Sequence, residues 1–282
     1  MPTQEYLQAE RAQLWREELR KTLKNKERTN LVRVKMPEVD ATIRSRTYDE
    51  VNLGLTPEQA QAESQRCLDC VNPTCITGCP VEINIPKFIK IIERGEVLEA
   101  AKALKETSAL PAVCGRVCPQ ERQCESQCFY TLKLGKEPVA IGHLERFAAD
   151  FERKSGNISI PEIAPANGIK IAVVGSGPAG LAFAGDMIKL GYDVTVFEAL
   201  HELGGVLRYG IPEFRLPNDI VDIEIDVLKK LGVKFITNCI IGKPISQEEL
   251  KADGYRGIFI GSGAGFPNFT NIPGENLIGV MS

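Results

Sequence analysis

KIAVVGSGPAGLAFAGDMIKLGYDVTVFE, residues 170–198, is the stretch that decides the fold. Lys170 to Val174 reads as a short buried strand, the segment from Pro178 to Gly191 as an apolar helix, and Asp193 to Glu198 as a second strand. That order is a parallel strand-helix-strand unit. Gly175, Gly177 and Gly180 fill the turn between strand and helix in the spacing GxGxxG. The first glycine permits the tight turn, the second lets backbone approach a pyrophosphate, and the third lets helix and strand touch, while the helix N-terminus favours an anion. Glu198 closes the second strand, where a carboxylate accepts ribose hydroxyls and repels a 2′-phosphate, so the site reads as a dinucleotide site ill suited to NADPH.

The same alternation continues downstream. A loop, HELGGVLRYGIPEFRLP (201–217), leads into the helical pattern NDIVDIEIDVLKKLG, the strand VKFITN, a short helix capped by Ser246 with Glu249 three residues on, and the strand GIFIG. A parallel sheet with crossover helices is expected. Gly204 and Gly205 allow backbone to lie close to a ligand. Arg208 and Arg215 are either solvated charges or neutralising partners for a phosphate or a reduced flavin.

Upstream, SGNISIPEIAPANG reads as a linker, which sets the expected limits at 1–155, 156–168 and 169–282. The N-terminal part is read as all-α. A charged amphipathic helix is expected over the first 30 residues from Leu7, Leu14, Trp15, Leu19 and Leu23, and a capped helix from Thr56 and Pro57. KFIKIIERG, EVLEAAKALKE, QERQCESQC and AIGHLERFAADFERK complete the helical set. Its apolar supply is modest, so bound clusters are expected to serve as part of its core.

Eight of the nine cysteines lie between Cys67 and Cys128. They form two groups of four: Cys67, Cys70, Cys75 and Cys79, then Cys114, Cys118, Cys124 and Cys128. The N-terminus MPTQEYLQAERAQLW lacks the apolar core of a signal peptide, so reduced thiols and metal ligation are expected in place of disulfides. Close spacing that ends in Cys-Pro is an iron-sulfur habit. Zinc is the rival, weakened by the loose spacings and by a count of two histidines. Cys239, in the apolar run FITNCII, reads as a small buried hydrophobe.

A hydrophobic share of 43%, a charged share of 25% and a net charge of -3 are ordinary, and they provide no field to recruit nucleic acid or an anionic membrane. No apolar run approaches the roughly 20 residues of a membrane span. A soluble cytoplasmic protein is the expectation.

The pieces CLDCVNPTCITGCPVEINIP, CGRVCPQERQC, IGHLERF, VVGSGPAGLAFA and GGVLRYGIPEFRLP make the chain resemble the small (beta) subunits of NADPH-dependent glutamate synthase and the N-terminal part of dihydropyrimidine dehydrogenase. The resemblance implies an incomplete α/β Rossmann-type FAD-binding domain behind a helical domain with two 4Fe-4S clusters. It assigns Cys67, Cys70, Cys75 and Cys128 to one cluster and Cys79, Cys118, Cys124 and Glu145 to the other. Glu145 stands where dihydropyrimidine dehydrogenase has Gln, and a solvated helix residue is its alternative reading; Cys114 is left over. For FAD it points to Gly175, Ser176, Gly177, Pro178, Ala179, Gly180, Glu198, Gly205, Val206, Arg215 and Ile241. GIFIGSGAGFP resembles the segment that closes such flavin sites.

The resemblance further implies electron transfer from NADPH through FAD and the clusters to an electron-accepting partner of the glutamate synthase large-subunit type, with no acid or base residue required. A docking module of a ferredoxin-NADP transhydrogenase or a sulfide dehydrogenase is the alternative. In the family a second dinucleotide-binding domain, for NADPH, follows the GSGAGFP segment. The sequence stops at Ser282, so it is read as a piece of a longer chain, with weak FAD binding and no NADPH activity alone.

Overall fold

The computed structural model describes residues 3–265 and 269–280. Strands β1 (Lys170–Val174), β2 (Asp193–Phe197), β3 (Lys234–Ile236) and β4 (Tyr255–Ile260) form a parallel sheet in the order β3-β2-β1-β4. Val173 lies opposite Val196 on one side and Phe259 on the other. Strands buried on both faces read as runs of apolar residues, which is why KIAVV and DVTVF show no alternation.

Helices α11 (Pro178–Lys189) and α13 (Asn218–Lys230) cover the face carrying Val173, Val194 and Val196. Ala172, Phe197 and Cys239 face the other way, against Leu250 of α14 (Gln247–Ala252). Cys239 is thus a packed hydrophobe. Ser246 accepts from Glu249 N while the Glu249 carboxylate accepts from Ser246 N, the reciprocal cap expected from these residues.

The N-terminal part has its own core, built on α5 (Pro57–Gln65), α7 (Ile85–Arg94), α8 (Val97–Lys105) and α10 (Ile141–Ser155). Thr56 caps α5 as expected. Two readings change. The single amphipathic helix is instead α1 (Gln4–Arg11), α2 (Leu14–Thr22) and α3 (Asn25–Arg28), and Leu14 is 77% exposed while Arg16 and Arg28 are buried. The stretch 120–128 is a 3-10 turn at Gln120–Arg122 followed by irregular turns. An isolated antiparallel bridge, Glu38 to Asn52, also lies within the part read as all-α, along with long irregular loops.

Short helices α4 (Ala41–Arg44), α6 (Thr74–Thr77), α9 (Pro111–Val117) and α12 (Val206–Tyr209) and a five-residue π-helix, Tyr130–Leu134, complete the described set. The two cores meet along α9. Leu110, Ala112 and Val113 pack into the sheet-side core, and Ala112 N donates to the Glu224 carboxylate of α13 at 2.6 Å. Val51 N donates to Phe214 O at 3.0 Å, a second tie between the halves.

Candidate metal centres and nucleotide loop

Cys67 and Cys70 flank a bend in which Asp69 takes the left-handed conformation, φ 51°, one of the few side chains that tolerates it. The bend is held by charge. The fully buried Asp69 carboxylate pairs with Arg16 and Arg20 of α2, and its carbonyl accepts from Arg11 Nε at 2.7 Å. Behind it, Lys90 Nζ of α7 donates to Cys67 O and to Glu93, both at 2.5 Å, and Arg28 bonds the same Glu93 at 2.7 Å. Tyr130, two residues after Cys128, donates to Arg28 O and Arg66 O at 2.8 and 2.9 Å. These contacts carry Cys128 across the chain to the first cysteine group.

Cys67, Cys70, Cys75 and Cys128 consequently line one cavity, walled by Ile85, Ile89 and Val139, with about 400 Å³ of space counting its mouth. Burial pushes the Cys70 thiol up to about 12 and Cys75 well up, and the neighbouring thiols add to both shifts. Cys67, Cys70 and Cys75, crowded in an apolar wall, are poor thiolates alone. A bound polycation reverses that balance, because coordination requires and stabilises the deprotonated form.

The second set draws on several segments: Cys79 just after α6, Cys118 at the C-cap of α9, Cys124 in the turns after Gln120–Arg122, and Glu145 on α10. Burial first, then the charges of Glu145 and Cys118, push Cys79 up, while the backbone N–H groups of Val81 and Ile83 point at its sulfur. Cys124 is raised by burial, with Glu125, Glu145 and Cys79 contributing. Glu145 is buried and its carboxyl is pushed well up by desolvation and by Cys118. Its Oε1 has no hydrogen-bond partner. A buried carboxyl oxygen without a partner, beside Cys79, Cys118 and Cys124, fits the role of a fourth donor to a metal group there. Cys114 is one turn before Cys118, and the hydrogen bond between the two thiols holds Cys118 below the usual thiol range.

Among the described residues no three His, Cys, Asp or Glu side chains converge on one point that would hold a single metal ion.

On the sheet side, each glycine has a visible reason. A Cβ on Gly180 would stand 1.9 Å from Gly175 O, and one on Gly175 would stand 2.5 Å from Gly261 O. Gly177 has nothing within 4 Å of its absent Cβ, which leaves open space at the start of α11 where a pyrophosphate fits. Pro178 and Ala179 are exposed beside it. Gly205 packs on Gly177, its Cβ position 2.8 Å from Gly177 Cα.

Glu198 is turned inward. One carboxylate oxygen accepts from Ser176 N and Oγ at 2.8 and 2.5 Å, the other from Leu200 N at 2.9 Å, and the Ser176 hydroxyl accepts from Gly204 N at 3.0 Å. Glu198 and Ser176 thereby lock the three loops of the site together, and lone pairs remain for ribose hydroxyls. Val206 and Arg215 are exposed, Ile241 is half-buried next to the Ile245 bridge, and Arg208 pairs with Asp222. Phe266 and Pro267 of the GIFIGSGAGFP segment lie outside the described residues.

The charged residues behind the thiols, Asp69, Lys90, Arg28 and Glu93, were not singled out from sequence. The one available signal was an Asp inside Cys-x-x-Cys.

Comparison with known proteins adds family and relatives. Residues 44–157 match the family model described as dihydropyrimidine dehydrogenase domain II, 4Fe-4S cluster, and residues 173–230 match an NAD(P)-binding Rossmann-like domain. A glutamate synthase [NADPH] small chain from Escherichia coli K12 is 36% identical over 83% of this chain and 49% of its own length. The corresponding small chain of Halomonas elongata is 36% identical over 85% of this chain and 50% of its own. A subunit of NAD-dependent dihydropyrimidine dehydrogenase, PreT of Escherichia coli O157:H7, is 40% identical over 78% of this chain and 54% of its own. The chain spans about half the length of these relatives. Among the described residues no helix is long and apolar enough to cross a membrane.

Proposed function

This chain is a homologue of the glutamate synthase small chains and of the PreT subunits of dihydropyrimidine dehydrogenase, and on that premise we propose that it is the electron-transfer portion of such an oxidoreductase. It relays electrons between a flavin served by NADPH and a partner subunit of the glutamate synthase large-subunit type. The domain limits are 1–155 for the cluster part and 169–282 for the first segment of the flavin part. Bound clusters and flavin supply the redox chemistry, the flavin converting two-electron into one-electron transfer.

The chain's own residues hold and insulate those groups. Cys67, Cys70, Cys75 and Cys128 are the thiols of one 4Fe-4S site; Cys79, Cys118, Cys124 and Glu145 are the donors of the other. Gly175 to Gly180 receive the FAD pyrophosphate, Glu198 its ribose, Gly205 and Val206 the adjoining part, with Arg215 near the flavin and Ile241 near the adenine. The α9 contact with Glu224 and the sheet-side core supports placing the second site on the flavin side and the first on the far side.

One observation carries the reading: Cys128, from the second cysteine group, lines one apolar cavity with Cys67, Cys70 and Cys75. Anaerobic purification with iron, sulfide and zinc assay tests it. The expected result is about eight irons and eight sulfides, two cubanes' worth. Two zincs without sulfide would sink it. Cys128→Ser is expected to remove the first site's signal, and Cys118→Ser the second's.

A further inference from the structure

An open groove with about 920 Å³ of space runs along the outer side of the first thiol cavity. Its lining includes Leu68, Cys70 and Phe129, which also wall the cavity, so the groove and the cavity share Cys70. The floor is apolar: Val71 is 51% and Phe129 41% exposed, large side chains left in water.

The rim is cationic. Lys26 of α3 lines the groove and makes no ion pair among the described residues. Lys136 is exposed and reaches the carbonyl of Thr29, another lining residue, at 2.7 Å. Arg11 adds a third positive charge. The carboxylate in the lining, Asp69, is fully buried and paired with Arg16 and Arg20, so it does not offset them. A positive rim around exposed apolar side chains, on a chain whose net charge is -3, is a local arrangement and not a reflection of composition.

We propose that this groove is the docking site for a small acidic electron-transfer protein, which would set carboxylates against Lys26 and Lys136 and an apolar contact on Val71 and Phe129. The proposal rests on Cys70 being a cluster ligand, since the groove then brings a partner next to the redox centre. Exposed charges of this kind steer encounter and select partners by sign, whereas the apolar floor holds the complex once formed.

Calorimetric titration of the anaerobically purified chain with flavodoxin, an acidic carrier, and with cytochrome c, a basic one, tests this. Flavodoxin is expected to bind more tightly, with affinity that falls as salt rises. Lys26→Glu combined with Lys136→Glu should weaken flavodoxin binding about tenfold and flatten its salt dependence. Phe129→Ala should weaken binding while leaving the salt slope in place. Equal affinity for the two carriers, or a double variant that binds as the parent does, overturns the proposal. Iron content and the unfolding midpoint are measured on the same samples. Binding that responds as expected in a chain without iron would refute the cluster reading and keep the groove; intact clusters with indifferent binding would refute the groove alone.

Discussion

Replacing Gly115 with alanine should disable one metal site and spare the other. A Cβ at Gly115 would stand 2.5 Å from Arg146 N, 2.7 Å from its Cα and 2.9 Å from its Cβ. Contacts between such atoms are comfortable near 3.5–4.0 Å, so α9 and α10 must part by roughly 1 Å. Both surfaces are backbone, and no rotamer can absorb the change. The crossing is also pinned by charge: Arg116 bonds Asp150 at 2.8 Å and Arg146 bonds Glu50 at 3.0 Å, all largely buried. Overpacking of this kind costs about 1–3 kcal/mol.

The displacement falls between two of the donors proposed for the second site, Cys118 at the end of α9 and Glu145 next to Arg146 on α10. The first set lies on the α5, α7 and Tyr130 side, and the one α10 residue lining its cavity is Ile141, at the start of the helix. Gly115→Ala should therefore lower the unfolding free energy by about 2 kcal/mol, seen as a lower urea midpoint at constant slope, and reduce the iron content to half that of the parent. Electron paramagnetic resonance of the reduced protein should lose one of two signals. A full iron complement with an unchanged midpoint would refute the claim that this backbone contact sets the distance between Cys118 and Glu145.

Three further outcomes are expected. Burial raises Glu224 from 4.5 to about 7, so its protonated form is favoured in the fold, and the stability it contributes is full below about pH 4.5 and lost as pH rises through 7. Glu224→Gln should remove that decline and be the more stable protein at pH 8, by up to about 3 kcal/mol, as unfolding curves at several pH values would register. Asp69→Ala leaves the buried Arg16 and the partly buried Arg20 without their shared carboxylate, so it should destabilise by about 3 kcal/mol and release iron from the first site, measured by denaturation and by chelator-accessible iron. Gly180→Ala, with its Cβ 1.9 Å from Gly175 O, should abolish FAD binding in a fluorescence titration while the iron content stays at the parent level.

The glycine-rich turn was legible because its chemistry is local. Gly175, Gly177 and Gly180 act within six residues, and each is required by a contact or an opening that the spacing already implies. The same holds for the caps at Thr56 and Ser246, where a side chain bonds backbone three residues away. Leu14 shows where such reading stops. Its place in an apolar stripe suggested a docking face, but α2 docks through Trp15 of that stripe together with Arg16 and Arg20 around Asp69, a partner some 50 positions away in sequence. Periodicity records which residues are apolar; it carries no trace of a buried charge elsewhere that needs a counter-ion.

By itself, then, the sequence determined the order of strands and helices from residue 170 onward, the place of the phosphate loop and the presence of two thiol groups, because spacing within a few residues encodes each. Only the tertiary structure decided the packing that sets Cys128 in one cavity with Cys67, Cys70 and Cys75. Cys128 reaches Cys67 through Tyr130 and the Arg28 backbone, and Glu145 meets Cys118 through a glycine contact between two helices. Both depend on packing between segments distant in the chain, where the free energy of burying charge and fitting backbone to backbone is a property of the assembled fold.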